Sequence, residues 1–396
     1  MSNPFLHHVK PQTEADRSLL PMLEAVCFAF VAQILLLVLG SLVSQVGPTF
    51  VGRTGGGFSM DYGDFYLAAR YHAAHRSIYS TGGFVWPPFA VLIGQLFQSM
   101  PFVIARYWWL VLNIGFVASA VIAYARQLHF TWRNTTLLLM VAASFYPTYF
   151  LLERGHVDGL MLFCLVMAFR ARHWLVRSIF YGMSIGIKLY SGLLVVYLAR
   201  RKRWDLLAGG IAAAAVLQLP WLGLALSYPG VLARRTTQWV MVENITPAPL
   251  FFTLLGWLGT RGWKIAFALF WLVTLVWCLR GLKGRGEDLS DWVLLAPWMI
   301  SMPLVVYPYS AVLTLPLLAY QASRIKDHPW KAPEWIFLSG FLLLGVQQNA
   351  WIELLAAMGV PGAWVYLLNS LGTALLMVGC CLQVDVSECE GTTVAA

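Results

Sequence analysis

Long runs without one charged side chain set the terms for this sequence. From Ala25 to Val46, 22 residues pass with no Asp, Glu, Lys or Arg. A soluble domain keeps about a quarter of its side chains charged to face water. Here 11% of 396 residues are charged and 59% are hydrophobic. That balance excludes a soluble enzyme, a disordered chain and a secreted disulfide scaffold. It predicts an all-α integral membrane protein, because a helix satisfies its own backbone groups where water is absent. Further uncharged stretches at 107–125, 135–151, 206–226, 265–279, 292–306, 335–350 and 363–384 approach the roughly 20 residues that a crossing needs. Pieces at 159–169, 178–187 and 189–199 are shorter. Short or broken helices survive in lipid only where protein or a cavity meets their ends, so an internal cavity is expected there. The first run is too long for a signal-peptide core and reads as a retained helix.

The net charge of +9 raises the question of nucleic acid, but the basic residues fall in short clusters between apolar runs, as the positive-inside rule describes. Lys10 and Arg17, Arg126 and Arg133, Arg170, Arg172 and Arg177, Arg200 to Arg203, Arg280, Lys283 and Arg285, and Arg324, Lys326 and Lys331 make 17 of the 27 basic residues. All fall on one side if the apolar segment 84–100 lies along the outer surface and does not cross. The resulting expectation is about twelve spans, both termini cytoplasmic, in a cell membrane. Long outer loops run over 47–102 and 227–262, and no internal repeat stands out. The expected division is a transmembrane module, 1–250, and C-terminal transmembrane helices, 251–396. The bilayer is the expected partner and nucleic acid is not. Most of the six cysteines sit in apolar runs without metal spacing, so buried thiols are expected.

The first outer loop carries the most chemistry. A glycine-rich turn, Gly52 to Gly57, leads into Asp61-Tyr62-Gly63-Asp64-Phe65-Tyr66-Leu67-Ala68-Ala69-Arg70. On a helix Asp61 and Asp64 share a face near the N-terminus, where the macrodipole favours carboxylates. The plainer reading is a helix N-cap. The functional one is a carboxylate held at the membrane surface as a general base for a hydroxyl nucleophile.

With Tyr79 and Phe84-Val85-Trp86-Pro87-Pro88-Phe89, this loop resembles glycosyltransferase family 87 of the GT-C superfamily, which includes polyprenyl-phosphate-mannose-dependent mannosyltransferases. The pattern of an Asp, an aromatic pair, small residues, a Tyr and an aromatic-Pro-Pro falls on Asp61, Phe65/Tyr66, Ala68-Ala69, Tyr79 and Trp86-Pro87-Pro88. Gly155-His156-Val157-Asp158, Lys188-Leu189-Tyr190 with its following basic loop, and Tyr307-Pro308-Tyr309 are similar to later family segments. His156 stands where relatives tend to carry Gln, and Tyr307 or Pro308 where a His is common. The resemblance covers about residues 60–320. It implies a GT-C fold with juxtamembrane helices in the first outer loop and the catalytic Asp at Asp61, Asp64 being the runner-up. It also implies an inverting transfer of a sugar, mannose first, from a polyprenyl-phosphate donor to a lipid- or glycan-linked hydroxyl outside the membrane.

Lys188 interrupts an apolar stretch where a charge costs about 2.5 kcal/mol or more. It is a candidate for the donor phosphate, with snorkelling to the interface as the alternative. Arg154 is a second phosphate candidate, and His156 and Asp158 are candidates for sugar contacts, against a merely solvated loop. Tyr66, Arg70, Trp86, Tyr307 and Tyr309 are candidate borders of the substrate site. In the second outer loop Arg234, Arg235, Trp239, Glu243 and Asn244 are spaced like an interfacial helix, with Asn244 a further candidate contact. No cofactor is required by this scheme. Glu153, His156 and Asp158 offer at most an undiagnostic metal spacing, and fixed cations suffice for a phosphate leaving group. The rival reading is a flippase or transporter of a lipid-linked sugar, which needs the cavity and Lys188 but no displayed carboxylate.

Overall fold

The computed structural model describes residues 20–44, 59, 61–81, 83–235, 244–282, 289–303, 306–324, 330–360 and 364–393. Among them there is no strand. The α-helices in chain order are α1 (Leu20–Ser44), α2 (Tyr62–Ala73), α3 (Val91–Gln95), α4 (Phe102–Gln127), α5 (Trp132–Ser144), α6 (Tyr146–Arg154), α7 (Asp158–Arg170), α8 (Trp174–Ile187) and α9 (Leu194–Arg200). They continue with α10 (Trp204–Gln218), α11 (Leu222–Arg235), α12 (Ala248–Leu255), α13 (Gly259–Gly281), α14 (Ala296–Ser301), α15 (Leu315–Arg324), α16 (Ala332–Leu344), α17 (Gln348–Ala357) and α18 (Val365–Thr393). The glycine-rich turn, Trp239 and Glu243 lie outside the described residues, as do Lys10, Arg17, Lys283, Arg285 and Lys326; of Arg234 and Arg235 only the helical backbone is described.

Four helical stretches are long and apolar enough to cross a membrane: Pro21–Leu39, Phe102–Gln127, Trp204–Val231 and Ala248–Gly281. The α5–α6 pair makes a fifth if its 59° bend is part of one span. Pro147 fills the first turn of α6 at that bend, where a missing N–H costs nothing. Shorter apolar helices include Trp174–Ile187, Leu189–Arg200, Ala332–Leu344 and Leu367–Gln383, as the clipped runs between 159 and 199 suggest. Segment 84–100 forms a 3₁₀ turn at Pro88–Ala90 and the five-residue α3. At 1.5 Å per residue α3 is about 8 Å long, far too short to cross.

The helices bury one face and expose an apolar one. Along α4, Ala105, Trp109, Asn113, Val117, Ala120, Val121 and Tyr124 are buried, while Val103, Ile104, Tyr107, Trp108, Val111 and Ile114 are exposed. On α13 the exposed set is Ile265, Leu269, Leu272, Val273 and Val276, again at helical spacing. Large exposed apolar stripes of this kind belong to surfaces that meet lipid or a partner. The buried faces join by close approach. A Cβ on Gly182 of α8 would lie 2.6 Å from Ala213 Cβ of α10, so only glycine lets these backbones meet, as in other lipid-embedded crossings. The core is filled from several elements, with Tyr181 of α8, Tyr197 of α9, Trp292 of the 290–295 turn and Trp298 of α14 fully buried.

The five described cysteines, Cys27, Cys164, Cys278, Cys380 and Cys381, are buried thiols. The basic run after α9 is knitted into the fold. Arg200 Nε donates to Leu279 O at 2.6 Å, Arg201 pairs with buried Asp291, which also accepts from Tyr197 Oη, and Arg203 pairs with Asp205 at 2.9 Å.

Candidate active site

The site is built where the C-terminus of α6 meets the start of α2. A helix end leaves its last carbonyls without partners. Here Glu153 O accepts from Ser59 N at 2.6 Å and Arg154 O from Asp61 N at 2.5 Å. Gly155 ends α6 in the left-handed region, φ +67°, the usual glycine cap. A Cβ there would also lie 2.4 Å from Ser59 Cα. Trp109 Nε1 of α4 donates to Gly155 O at 2.7 Å. The chain reversal at 153–158 is thus fixed by three separate elements.

Asp61 occupies the N-cap position of α2 but its side chain makes no capping bond. The carboxylate turns to Arg154, with Nη2 to Oδ1 at 2.7 Å and Nε to Oδ2 at 3.2 Å. This forked pairing is the strong form of an arginine–carboxylate contact. The pair is partly open, the two side chains being 33% and 16% exposed. Asp64 points elsewhere: a Cβ on Gly83 would lie 2.0 Å from its Oδ1. The two carboxylates that share a helix face in sequence therefore face different surroundings.

A second pair lies inside. Asp158 opens α7 and is fully buried. Its Oδ2 accepts from Lys188 Nζ at 3.0 Å, His156 Nδ1 at 2.8 Å and Ser310 Oγ at 3.2 Å. A carboxylate only accepts, so His156 carries its proton on Nδ1. Asp158 Oδ1 is buried without a hydrogen-bond partner. Lys188 sits in extended backbone between α8 and the 3₁₀ turn Leu189–Leu193. Its ammonium lies 4.7 Å from the Tyr190 ring and 5.2 Å from that of Tyr309, within cation–π range. It is buried against Asp158 and does not snorkel. Glu153, His156 and Asp158 are likewise buried, so this is no solvated loop.

Aromatic rings connect the pieces. Phe65 and Trp86 are 4.3 Å apart, Trp86 and His156 5.5 Å, and His156 stacks on Tyr309 at 3.8 Å and 13°. Tyr307 is 5.7 Å from Tyr309. Other sequence candidates are engaged differently. Tyr66 donates its hydroxyl to Met100 O at 2.8 Å, fixing the turn before α4. Arg70 is exposed on the last turn of α2, away from the cluster. Asn244 is buried, and its Oδ1 accepts from Thr246 N and Val306 N, both at 3.1 Å. Its backbone carbonyl accepts from Ser370 Oγ at 3.0 Å, so it ties the segment before α12 to the Tyr307 stretch and to α18.

Sequence reasoning missed Ser310 and Tyr190, although each adjoins or falls within a motif it singled out. It also missed Gln218, whose Oε1 accepts from Phe89 N at 3.0 Å and anchors the Trp86-Pro87-Pro88 element to α10. No cluster of His, Cys, Asp and Glu suited to a metal occurs among the described residues.

Membrane-length helices with outward apolar stripes, closing over paired charges at one end, define an all-helical membrane protein with a polar site. The chain matches glycosyltransferase family 87 over residues 84–308, more than half its length, and it belongs to that family. The match takes in Trp86, Arg154, His156, Asp158, Lys188 and Tyr307 and begins after Asp61 and Asp64. It is also similar to the polyprenol-phosphate-mannose-dependent alpha-(1-2)-phosphatidylinositol pentamannoside mannosyltransferase of Mycolicibacterium smegmatis, 21% identical over 154 residues. That alignment covers 38% of this chain and 37% of the relative, so the chain spans little more than a third of the curated protein it matches. No solved structure matches it.

Proposed function

We propose that this protein is a membrane glycosyltransferase that moves a sugar from a polyprenyl-phosphate donor to a hydroxyl of a lipid- or glycan-linked acceptor, on the outer side. Mannose is the first sugar to try, since the relative's name specifies a mannose donor. The family match supports the transferase class. The single observation that carries the mechanism is the forked Asp61–Arg154 pair: a carboxylate at a cap position, released from capping, joined to a partly exposed cation.

In this reading Asp61 accepts the acceptor's hydroxyl proton while that oxygen bonds to the anomeric carbon. The anomeric carbon–phosphate bond breaks on the opposite face, and polyprenyl phosphate departs with the bonding pair. The product is inverted. Arg154 exchanges its carboxylate for the donor phosphate, so binding the donor frees the base. Lys188, already set in the interior, adds positive charge toward the leaving group. Trp86 and Tyr309 border the sugar ring. In the topology expected from the charge pattern, about twelve spans with cytoplasmic termini, Asp61 would stand on the outer side.

The test is transfer in proteoliposomes from a panel of polyprenyl-phospho-sugars, read by product mass. Asp61→Asn is expected to lose about 10²- to 10⁴-fold in rate, the range for a lost general base. Near-wild-type turnover of Asp61→Asn with a dead Asp64→Asn would move the base to Asp64. If both stay active, base catalysis from this loop is wrong. Movement of intact donor across sealed vesicles without cleavage would replace the transferase by a flippase.

A further inference from the structure

The same two helices that carry the site at one end hold an unassigned feature at the other. From Trp109, whose indole reaches Gly155, to Arg126 near its end, α4 rises about 26 Å at 1.5 Å per residue; from Asp158 to Arg170, α7 rises about 18 Å. Between their C-terminal ends opens a recess of about 530 Å³ lined by Arg126, Gln127, Phe169, Arg170, Ala171 and Arg172. Among the described residues no carboxylate lines it. Among the described residues none of the three guanidinium groups takes part in an ion pair.

Arginine in a last helical turn complements the macrodipole, which accounts for Arg126 and Arg170 one at a time. It does not account for Arg172, beyond the end of α7, nor for three like charges around one hollow. Two further observations point to what fills it. Gln127 Oε1 is buried with no hydrogen-bond partner, an acceptor waiting for a donor. The loops leaving the recess each reach an exposed tryptophan within a few residues, Trp132 at 72% and Trp174 at 57% exposure. Tryptophan collects at the headgroup level of a bilayer, and exposed Leu175, Val176 and Ile179 continue from Trp174 as an apolar flank.

We propose that this recess is a binding site for the headgroup of an anionic phospholipid that carries free hydroxyls, of the phosphatidylglycerol type. The phosphodiester meets the arginines, a glycerol hydroxyl donates to Gln127 Oε1, and the acyl chains lie along the apolar flank. Basic pockets between helices at the membrane surface are suited to this use. The inference is independent of the chemistry proposed for Asp61.

The experiment measures lipid retention on the purified full-length protein by native mass spectrometry, with phosphatidylglycerol, phosphatidylcholine and inorganic phosphate as separate probes. Phosphatidylglycerol is expected to bind at least tenfold more tightly than phosphatidylcholine and to weaken as salt rises, since exposed charges are screened. Each of Arg126→Gln, Arg170→Gln and Arg172→Gln is expected to weaken it about fivefold, and Asp61→Asn to leave it unchanged. The salt series on the wild-type protein needs no variant to fold. Equal binding of the two lipids, or full retention in all three arginine variants, overturns the proposal. So does displacement of phosphatidylglycerol by equimolar inorganic phosphate, which would make the recess a simple anion site.

Discussion

Two cation–carboxylate pairs stand within one site and differ in a way that separates their work. Asp61–Arg154 is partly open and two-pronged. Asp158–Lys188 is sealed, and its carboxylate oxygen also takes His156 and Ser310. The outer pair is reached by solvent, so an incoming ligand can replace one partner without leaving the other charge sealed away from water. A sealed pair is different: removing one partner strands a charge in a medium that cannot solvate it. The first arrangement suits an exchangeable contact, the second a fixed charge around which the site is assembled.

The sharpest way to break the comparison is to unbalance the inner pair. Lys188→Met is expected to destabilise the protein by about 3–5 kcal/mol, read as a fall in the thermal midpoint in detergent. Adding Asp158→Asn should recover much of that stability without restoring transfer. If the single variant unfolds like wild type, the sealed pair is not a structural keystone. The outer pair should behave in the opposite manner. Arg154→Gln is expected to lower stability by less than Lys188→Met does yet cost about a hundredfold in kcat/KM, the scale for one lost charge-stabilising donor. Arg154→Lys keeps the charge but not the fork, and should fall between.

Gly155→Ala tests the frame that holds both pairs. A non-glycine residue in the left-handed region costs about 1–3 kcal/mol, and here its Cβ also meets Ser59. A lower midpoint with a parallel loss of transfer is expected, and unchanged activity would mean that the reversal at 153–158 does not position Asp61. The smallest effect belongs to Asp64→Asn. With its carboxylate against Gly83, it should keep transfer within a few-fold of wild type in the same vesicle assay.

Helix positions were legible because an uncharged run leaves a chain few choices: 107–125 became α4 and 265–279 lies within α13. The bend between α5 and α6 was not, since 135–151 is uncharged throughout and Pro147 alone hints at a break. Asp61 stood out by its motif, but its partner lies 93 positions away, and no local period links a loop to a distant helix end. Lys188 and Asp158 were both singled out, yet as separate ligands of substrate. That each is the other's counterion depends on how α7 and α8 pack. The spacing of Asn244 with Arg234, Arg235, Trp239 and Glu243 suggests an interfacial helix, whereas its bonds to Val306 and Ser370 depend on two further segments that the sequence does not bring near.

The backbone bonds from Ser59 and Asp61 to the last carbonyls of α6 have a mechanical meaning. They gear the start of α2 to the end of a bent helix pair, so Asp61 has no independent swing. If α6 tilts about its 59° elbow, the carboxylate is carried with it, and so is Arg154, while Asp158 and Lys188 stand on other helices. The elbow is thus a lever whose short arm holds the Asp61–Arg154 pair.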